Sequence, residues 1–283
     1  MGWVIGPIAP VMVATPVPAL AESGPPPTRP SGDRRRDRSR WSLLLAALVV
    51  VTALVVLGLA TPRAAAVSGP INSANASFIA DSYTQFLGRS ADDAGLDYHL
   101  GVLSAGGDQR RLTFTYALLF SAEGAGIEVD RAYQDLLNRA AEADGRAFWA
   151  SRLQGHGVSD LRVLLLASDE YVANAGGTES AWIDALYADV VDRPADDDGK
   201  QYWLDQRAAG VARANVAAGL YFSDEALGRR VDAYYTELLS RAPAAGERTA
   251  GIAQIRATGE RSLRAAVWAS DEAYETYLQA AWS

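Results

Sequence analysis

Arginine and glutamate recur in this sequence at matched intervals, and that recurrence is its clearest chemical signal. Arg89, Arg139, Arg193 and Arg241 each follow a tyrosine by six residues, the tyrosines being Tyr83, Tyr133, Tyr187 and Tyr235. Each stretch then closes on Ser-x-Glu, supplying Glu123, Glu170, Glu225 and Glu272, and the serines fall 32, 29, 30 and 29 residues after the arginines. A cation near the end of one helix and an anion in the first turn of another each suit the dipole of the helix that carries them. Matched recurrence predicts more, namely an ion pair holding two helix ends together: Arg89 with Glu123, Arg139 with Glu170, Arg193 with Glu225 and Arg241 with Glu272. Independent capping and four equivalent ligand sites are the alternatives.

Other chemistries have less to build on. Acidic loops precede a recurring glycine: Asp92-Asp93 before Gly95, Glu142 and Asp144 before Gly145, and Asp196-Asp197-Asp198 before Gly199. Calcium takes six to eight oxygens from alternating acids and carbonyls. Asp196 and Asp198 are the candidate calcium ligands on that ground, with helix capping as the competing explanation. Cysteine is absent and the two histidines are His99 and His156, so disulfides, thiolate zinc sites and thiol catalysis are excluded. No Gly-x-Ser-x-Gly, His-Glu-x-x-His or phosphate-loop pattern occurs, and no cofactor or catalytic residue is indicated. An extracytoplasmic hydrolase acting on cell-wall glycan is the enzymatic alternative. It requires two carboxylates in one cleft, lined by residues that break the repeat.

The elements that must position these groups are helical repeats. The tyrosines lie 50, 54 and 48 residues apart, with apolar residues three and four positions after each. A glycine follows the arginine by six residues in three copies, and Gly246 follows by five in the fourth. An aromatic pair comes next, Tyr98-His99, Phe148-Trp149 and Tyr202-Trp203, replaced by Ala250-Gly251 in the last copy. Phe78, Ile79, Tyr83, Phe86 and Leu87 share one helical face, and Asp92 or Asp93 is placed to cap the next helix. Each copy reads as three to four short helices, the last a short one opening at Ser-x-Glu, and the fold class is all-α. Trp149 and Trp203 are expected to be mostly buried against the tyrosine helix of their own copy, as structural aromatics like the four tyrosines.

The pattern of Tyr, paired apolar residues, Arg, acidic loop, Gly, aromatic-Trp and Ser-x-Glu resembles the bacterial domain of unknown function 4214 family. That family is similar to the phycobilisome linker domain superfamily. The resemblance covers about residues 78–283 and implies tandem compact helical modules in secreted or surface proteins, with no activity attached.

The chain of 283 residues divides on this reading as follows. Residues 1–40, rich in Pro, Gly and Arg, form a disordered cytoplasmic or n-region. Residues 41–66 are a signal peptide or signal anchor, because the twenty uncharged residues from Trp41 to Ala60 make a helix about 30 Å long, enough to cross a bilayer. Arg34, Arg35, Arg36, Arg38 and Arg40 set their side in the cytoplasm, and Ala64-Ala65-Ala66 offers a cleavage site before Val67. A linker spans 67–77, and the repeats span 78–127, 128–177, 180–228 and 229–283, with Gly176-Gly177 as the expected hinge of a two-plus-two arrangement. Residues 67–283 carry a net charge of −12, which argues against nucleic acid as a partner. The expected function is a secreted or membrane-held, non-catalytic interaction or scaffolding module, with an extracellular protein or cell-surface polymer as partner.

Overall fold

In the computed structural model the described residues are 69–106, 108–153 and 158–282. The expected targeting segment at 41–66, the expected amino terminus at Val67 and His156 lie outside them. Among the described residues there are helices and no strands, and no helix is long and apolar enough to cross a membrane.

The tyrosine-bearing helices are α1 (Pro70–Leu87), α4 (Ala122–Leu137), α8 (Glu179–Val191) and α11 (Asp224–Leu239). Each is followed by two more: α2 (Asp93–Ser104) and α3 (Asp108–Leu119), α5 (Ala143–Leu153) and α6 (Val158–Leu166), α9 (Asp197–Ala208) and α10 (Arg213–Tyr221), α12 (Ala245–Thr258) and α13 (Glu260–Trp268). A short α7 (Asp169–Asn174) precedes α8, and α14 (Asp271–Trp282) ends the set.

Local sequence sets these boundaries. The serines of Ser-x-Glu are N-caps: Ser121, Ser168, Ser223 and Ser270 accept from the backbone N–H three residues on, at 2.9, 3.1, 3.2 and 3.2 Å. Asp92 and Asp196 do the same for α2 and α9. At the other end, the residue just before each repeat arginine caps its tyrosine helix in the left-handed region: Gly88, Asn138, Asp192 and Ser240, with φ of 65°, 52°, 50° and 54°. That turn reverses the chain and brings the arginine back across the helix end.

The closing Ser-x-Glu does not always open a short helix. Ser121 and Ser223 start α4 and α11, which run on through Tyr133 and Tyr235, so 127/128 and 228/229 fall inside continuous helices. Only Ser168 opens a short helix before a break at Gly176-Gly177. That break is not a hinge between separate cores, since Tyr171 and Val172 before it and Trp182 and Ile183 after it share one buried cluster.

Residues 69–282 close on themselves. Phe78 in α1 meets Trp268, Tyr274 and Tyr277 from the last two helices, with ring centroids 5.6–6.0 Å apart. Trp268 donates its indole N–H to Ser82 at 2.7 Å, and the Tyr274 hydroxyl donates to Asn75. Helix α13 sits deepest, with Glu260, Arg261, Ser262 and Arg264 all buried. Arg261 donates to the carbonyls of Leu119 and Leu153 at the ends of α3 and α5, satisfying groups a helix leaves open.

Candidate functional site

All four expected arginine–glutamate pairs meet in the structure, each through two hydrogen bonds. Arg89 reaches Glu123 at 2.6 and 2.8 Å, Arg139 reaches Glu170 at 2.5 and 2.7 Å, Arg193 reaches Glu225 at 2.6 and 3.1 Å, and Arg241 reaches Glu272 at 2.5 and 2.6 Å. Each guanidinium also lies over the ring of its own tyrosine, Tyr83, Tyr133, Tyr187 or Tyr235, 5.1–5.2 Å from the centroid. Each donates as well to the carbonyl of the next residue. These hydrogen bonds from arginine hold Glu123, Glu170 and Glu272 below the usual carboxylate range. Because the glutamate opens the helix that follows the other two, the pair ties the end of one tyrosine helix to the start of the third helix after it in the chain.

The acidic loops serve the same guanidiniums. Glu142 takes Arg139 at 2.6 Å, and Asp196 takes Arg193 at 3.1 Å while capping Gly199 N–H at 2.8 Å. The Gly199 N–H first, and Arg193 second, lower the Asp196 carboxyl. Asp196 is therefore engaged at both oxygens, Asp198 two residues on is exposed, and no group of three or more metal-ligating side chains gathers among the described residues.

At two of its three positions the recurring glycine has a packing cause. A Cβ on Gly199 would lie 2.5 Å from the Tyr187 hydroxyl, and one on Gly95 would lie 3.0 Å from that of Tyr83. Gly246 has open space instead, so it is not the structural counterpart. The residue six after Arg241 is Glu247, which accepts from the Ala244 N–H and from Arg241, and these bonds pull its carboxyl down to about 2.

The aromatic pair divides its labour. Trp149 and Trp203 are largely but not fully buried, and their indoles face the hydroxyls of Tyr133 and Tyr187. A tryptophan whose polar edge must reach that hydroxyl keeps part of its ring at the surface. His99 stands at this place in α2, packed on Phe114 with centroids 4.7 Å apart, and burial lowers its imidazole. The first members face outward: Tyr98 is 67%, Phe148 54% and Tyr202 49% exposed. Trp182 and Trp268 are core residues.

A second constellation went unread in the sequence. A cavity of about 380 Å³ is lined by Glu128, Arg131, Arg162 and Asp189, by Tyr221, Arg230, Tyr234 and Glu237, and by Glu260 and Arg264 of α13. Glu260 accepts from Arg230 at 2.6 Å, from the Tyr221 hydroxyl at 2.7 Å and from the Tyr234 hydroxyl at 3.1 Å. Burial raises its pKa, but Arg230, Tyr221 and Arg162 outweigh that, and the net shift is downward. Arg264 donates to Glu128 at 3.1 Å and to Glu237 at 3.2 Å.

Comparing the copies position by position exposes the signal. Five residues before the tyrosine stand Phe78, Glu128, Trp182 and Arg230, and six before the closing serine stand Thr115, Arg162, Ala217 and Arg264. The first and third copies fill these places with aromatic and small residues, and the second and fourth with charge.

Neither a curated protein nor a solved structure matches the chain. Residues 59–126 and 163–230 match the family described as Domain of unknown function (DUF4214). Each matched stretch holds one complete cluster, Tyr83–Arg89–Glu123 in the first and Tyr187–Arg193–Glu225 in the second. The chain carries the DUF4214 domain in two tandem copies.

Proposed function

We propose that this chain is a non-catalytic interaction module on the extracytoplasmic side of a membrane, secreted or held by the 41–66 segment, and that it comprises four repeats of about fifty residues. Each DUF4214 copy is then followed by a divergent repeat that keeps the tyrosine, arginine and glutamate. The partner is an extracellular protein or a cell-surface polymer.

One observation carries this reading: Tyr98, Phe148 and Tyr202 stand exposed at the same position of three repeats. Large aromatics held in water on rigid helices are the side chains that supply contact area at interfaces. The repeat's other marked residues are occupied within the fold. The hydrolase alternative is disfavoured by charge pairing. Glu128, Glu237 and Glu260 each bond an arginine in the cavity, whereas glycan hydrolysis needs one carboxyl to keep its proton. The calcium alternative is disfavoured by the engagement of Asp196.

The test uses the full chain with Tyr98, Phe148 and Tyr202 all replaced by Ala. Unchanged thermal stability with loss of retention on cell-surface material of the source organism supports the reading. Retention equal to that of the unsubstituted chain refutes it.

A further inference from the structure

The three outward aromatics are fixed in place and have charge beside them, which narrows the chemistry of a partner. Each ring makes a near-perpendicular contact with the next residue: Tyr98 with His99, Phe148 with Trp149 and Tyr202 with Trp203. Centroids lie 4.9–5.3 Å apart and the planes 72–80° apart. A fixed, exposed ring attracts a cation to its electron-rich face, guanidinium above all. In the second copy the chain supplies that cation itself, since Arg152, one turn after Phe148, holds its guanidinium 5.5 Å from the ring centroid. The equivalent places after Tyr98 and Tyr202 hold Val102 and Gln206, which bring no charge.

Exposed carboxylates accompany the rings. Asp144 and Asp198 stand one turn before Phe148 and Tyr202, where side chains are neighbours on a helix surface. Asp93 and Asp97 precede Tyr98 on α2, and all four acids are exposed, with no arginine or lysine bonded to them among the described residues. The fourth copy loses both features together: Gly246 and Ala250 stand where the third has Asp198 and Tyr202. Helix α12 forms all the same, so the fold does not demand the combination of ring and acid. We propose that these faces bind arginine-bearing segments of a partner protein. The guanidinium stacks on Tyr98 or Tyr202, or displaces Arg152 from Phe148, and bonds the neighbouring carboxylate. The proposal rests on the surface reading above and names the chemistry of its partner. The net charge of −12 over residues 67–283 draws such a segment in from a distance.

The experiment titrates the full chain, by fluorescence anisotropy, with a labelled peptide of alternating glycine and arginine. The control is the same peptide with citrulline, the neutral isostere of arginine. The arginine peptide should bind about tenfold more tightly. Tyr98→Leu with Tyr202→Leu leaves the net charge and Tm unchanged and should weaken that binding about threefold or more. Gly246→Asp with Ala250→Tyr, added to the weakened chain, falls on two exposed positions, and a Cβ at Gly246 meets open space. It should restore part of the lost affinity. Equal binding of the two peptides overturns the ligand class. Full binding after the tyrosine substitutions, or no recovery with the added pair, overturns the ring and acid as the site. If retention on cell-surface material still depends on the three aromatics, any of these failures leaves the surface reading standing. Retention indifferent to the aromatics sinks that reading and this proposal with it.

Discussion

Replacing one glycine at a time by alanine at equivalent positions should give opposite signs, and the sign is set by a tyrosine hydroxyl. Gly199 and Gly145 both stand at the third residue after the start of their helix, six after the repeat arginine. Helix propensity alone favours alanine at either by about 0.5–1 kcal/mol. At Gly145 the nearest atoms to the new Cβ are 3.7 Å away, an ordinary contact, so Gly145→Ala should stabilise by about that amount. At Gly199 the Tyr187 hydroxyl would lie at 2.5 Å, and it sits on a buried ring faced by Trp203 and covered by Arg193. Relief requires a shift of about 1 Å in that cluster, an overpacking of about 1–3 kcal/mol, so the net effect is destabilising by up to about 2 kcal/mol. Urea unfolding followed by tryptophan fluorescence and by circular dichroism measures both. Tyr187→Phe removes the clashing oxygen, so the loss at Gly199 should shrink in the double variant. Equal effects of the two substitutions, or no rescue by Tyr187→Phe, would refute the packing explanation of the recurring glycine.

Three further outcomes follow from the same geometry. The Arg139–Glu170 pair is bidentate but about a third exposed on each side, so a double-mutant cycle should show a coupling of about 0.5–1 kcal/mol, and strictly additive losses would leave only capping. Glu260 is buried with its pKa lowered, so its stabilising charge is fully present above the unfolded carboxylate pKa and is lost as pH falls from there through the lower folded one. Glu260→Gln should cost about 3–5 kcal/mol at neutral pH by stranding Arg230, and should flatten the acid limb of Tm against pH. Ser240 sits at φ 54°, where an L side chain is strained by about 1–2 kcal/mol, so Ser240→Gly should raise Tm by a few degrees.

Much of this fold was legible because it rests on local chemistry. A serine capping its own helix, an arginine after a left-handed turn and a tyrosine beneath that arginine are fixed by spacing within one copy. What escaped depended on details that spacing does not carry, some of them contacts between distant parts of the chain. Whether Ser121 opens a short helix or a long one is decided by the absence of a breaker before Tyr133, whereas Gly176-Gly177 supplies one after Ser168. The packing of Phe78 on Trp268 joins residues 190 positions apart, beyond the reach of any periodicity. Gly246 misled because its spacing nearly matched, while the capping role had passed to Glu247. The charged cavity was visible only as an alternation between odd and even copies, a signal lost when the four are read as equivalent.

The exposed aromatics bear the functional account, and site-specific photo-crosslinking in the living source organism tests them most directly. A benzophenone side chain placed singly at Tyr98, Phe148 and Tyr202 should yield a covalent adduct to one common partner from each position. The same group at Ala94, exposed on α2 one turn before Tyr98, should yield markedly less. Absence of any adduct from all three positions, or adducts no more frequent than at Ala94, would contradict the account.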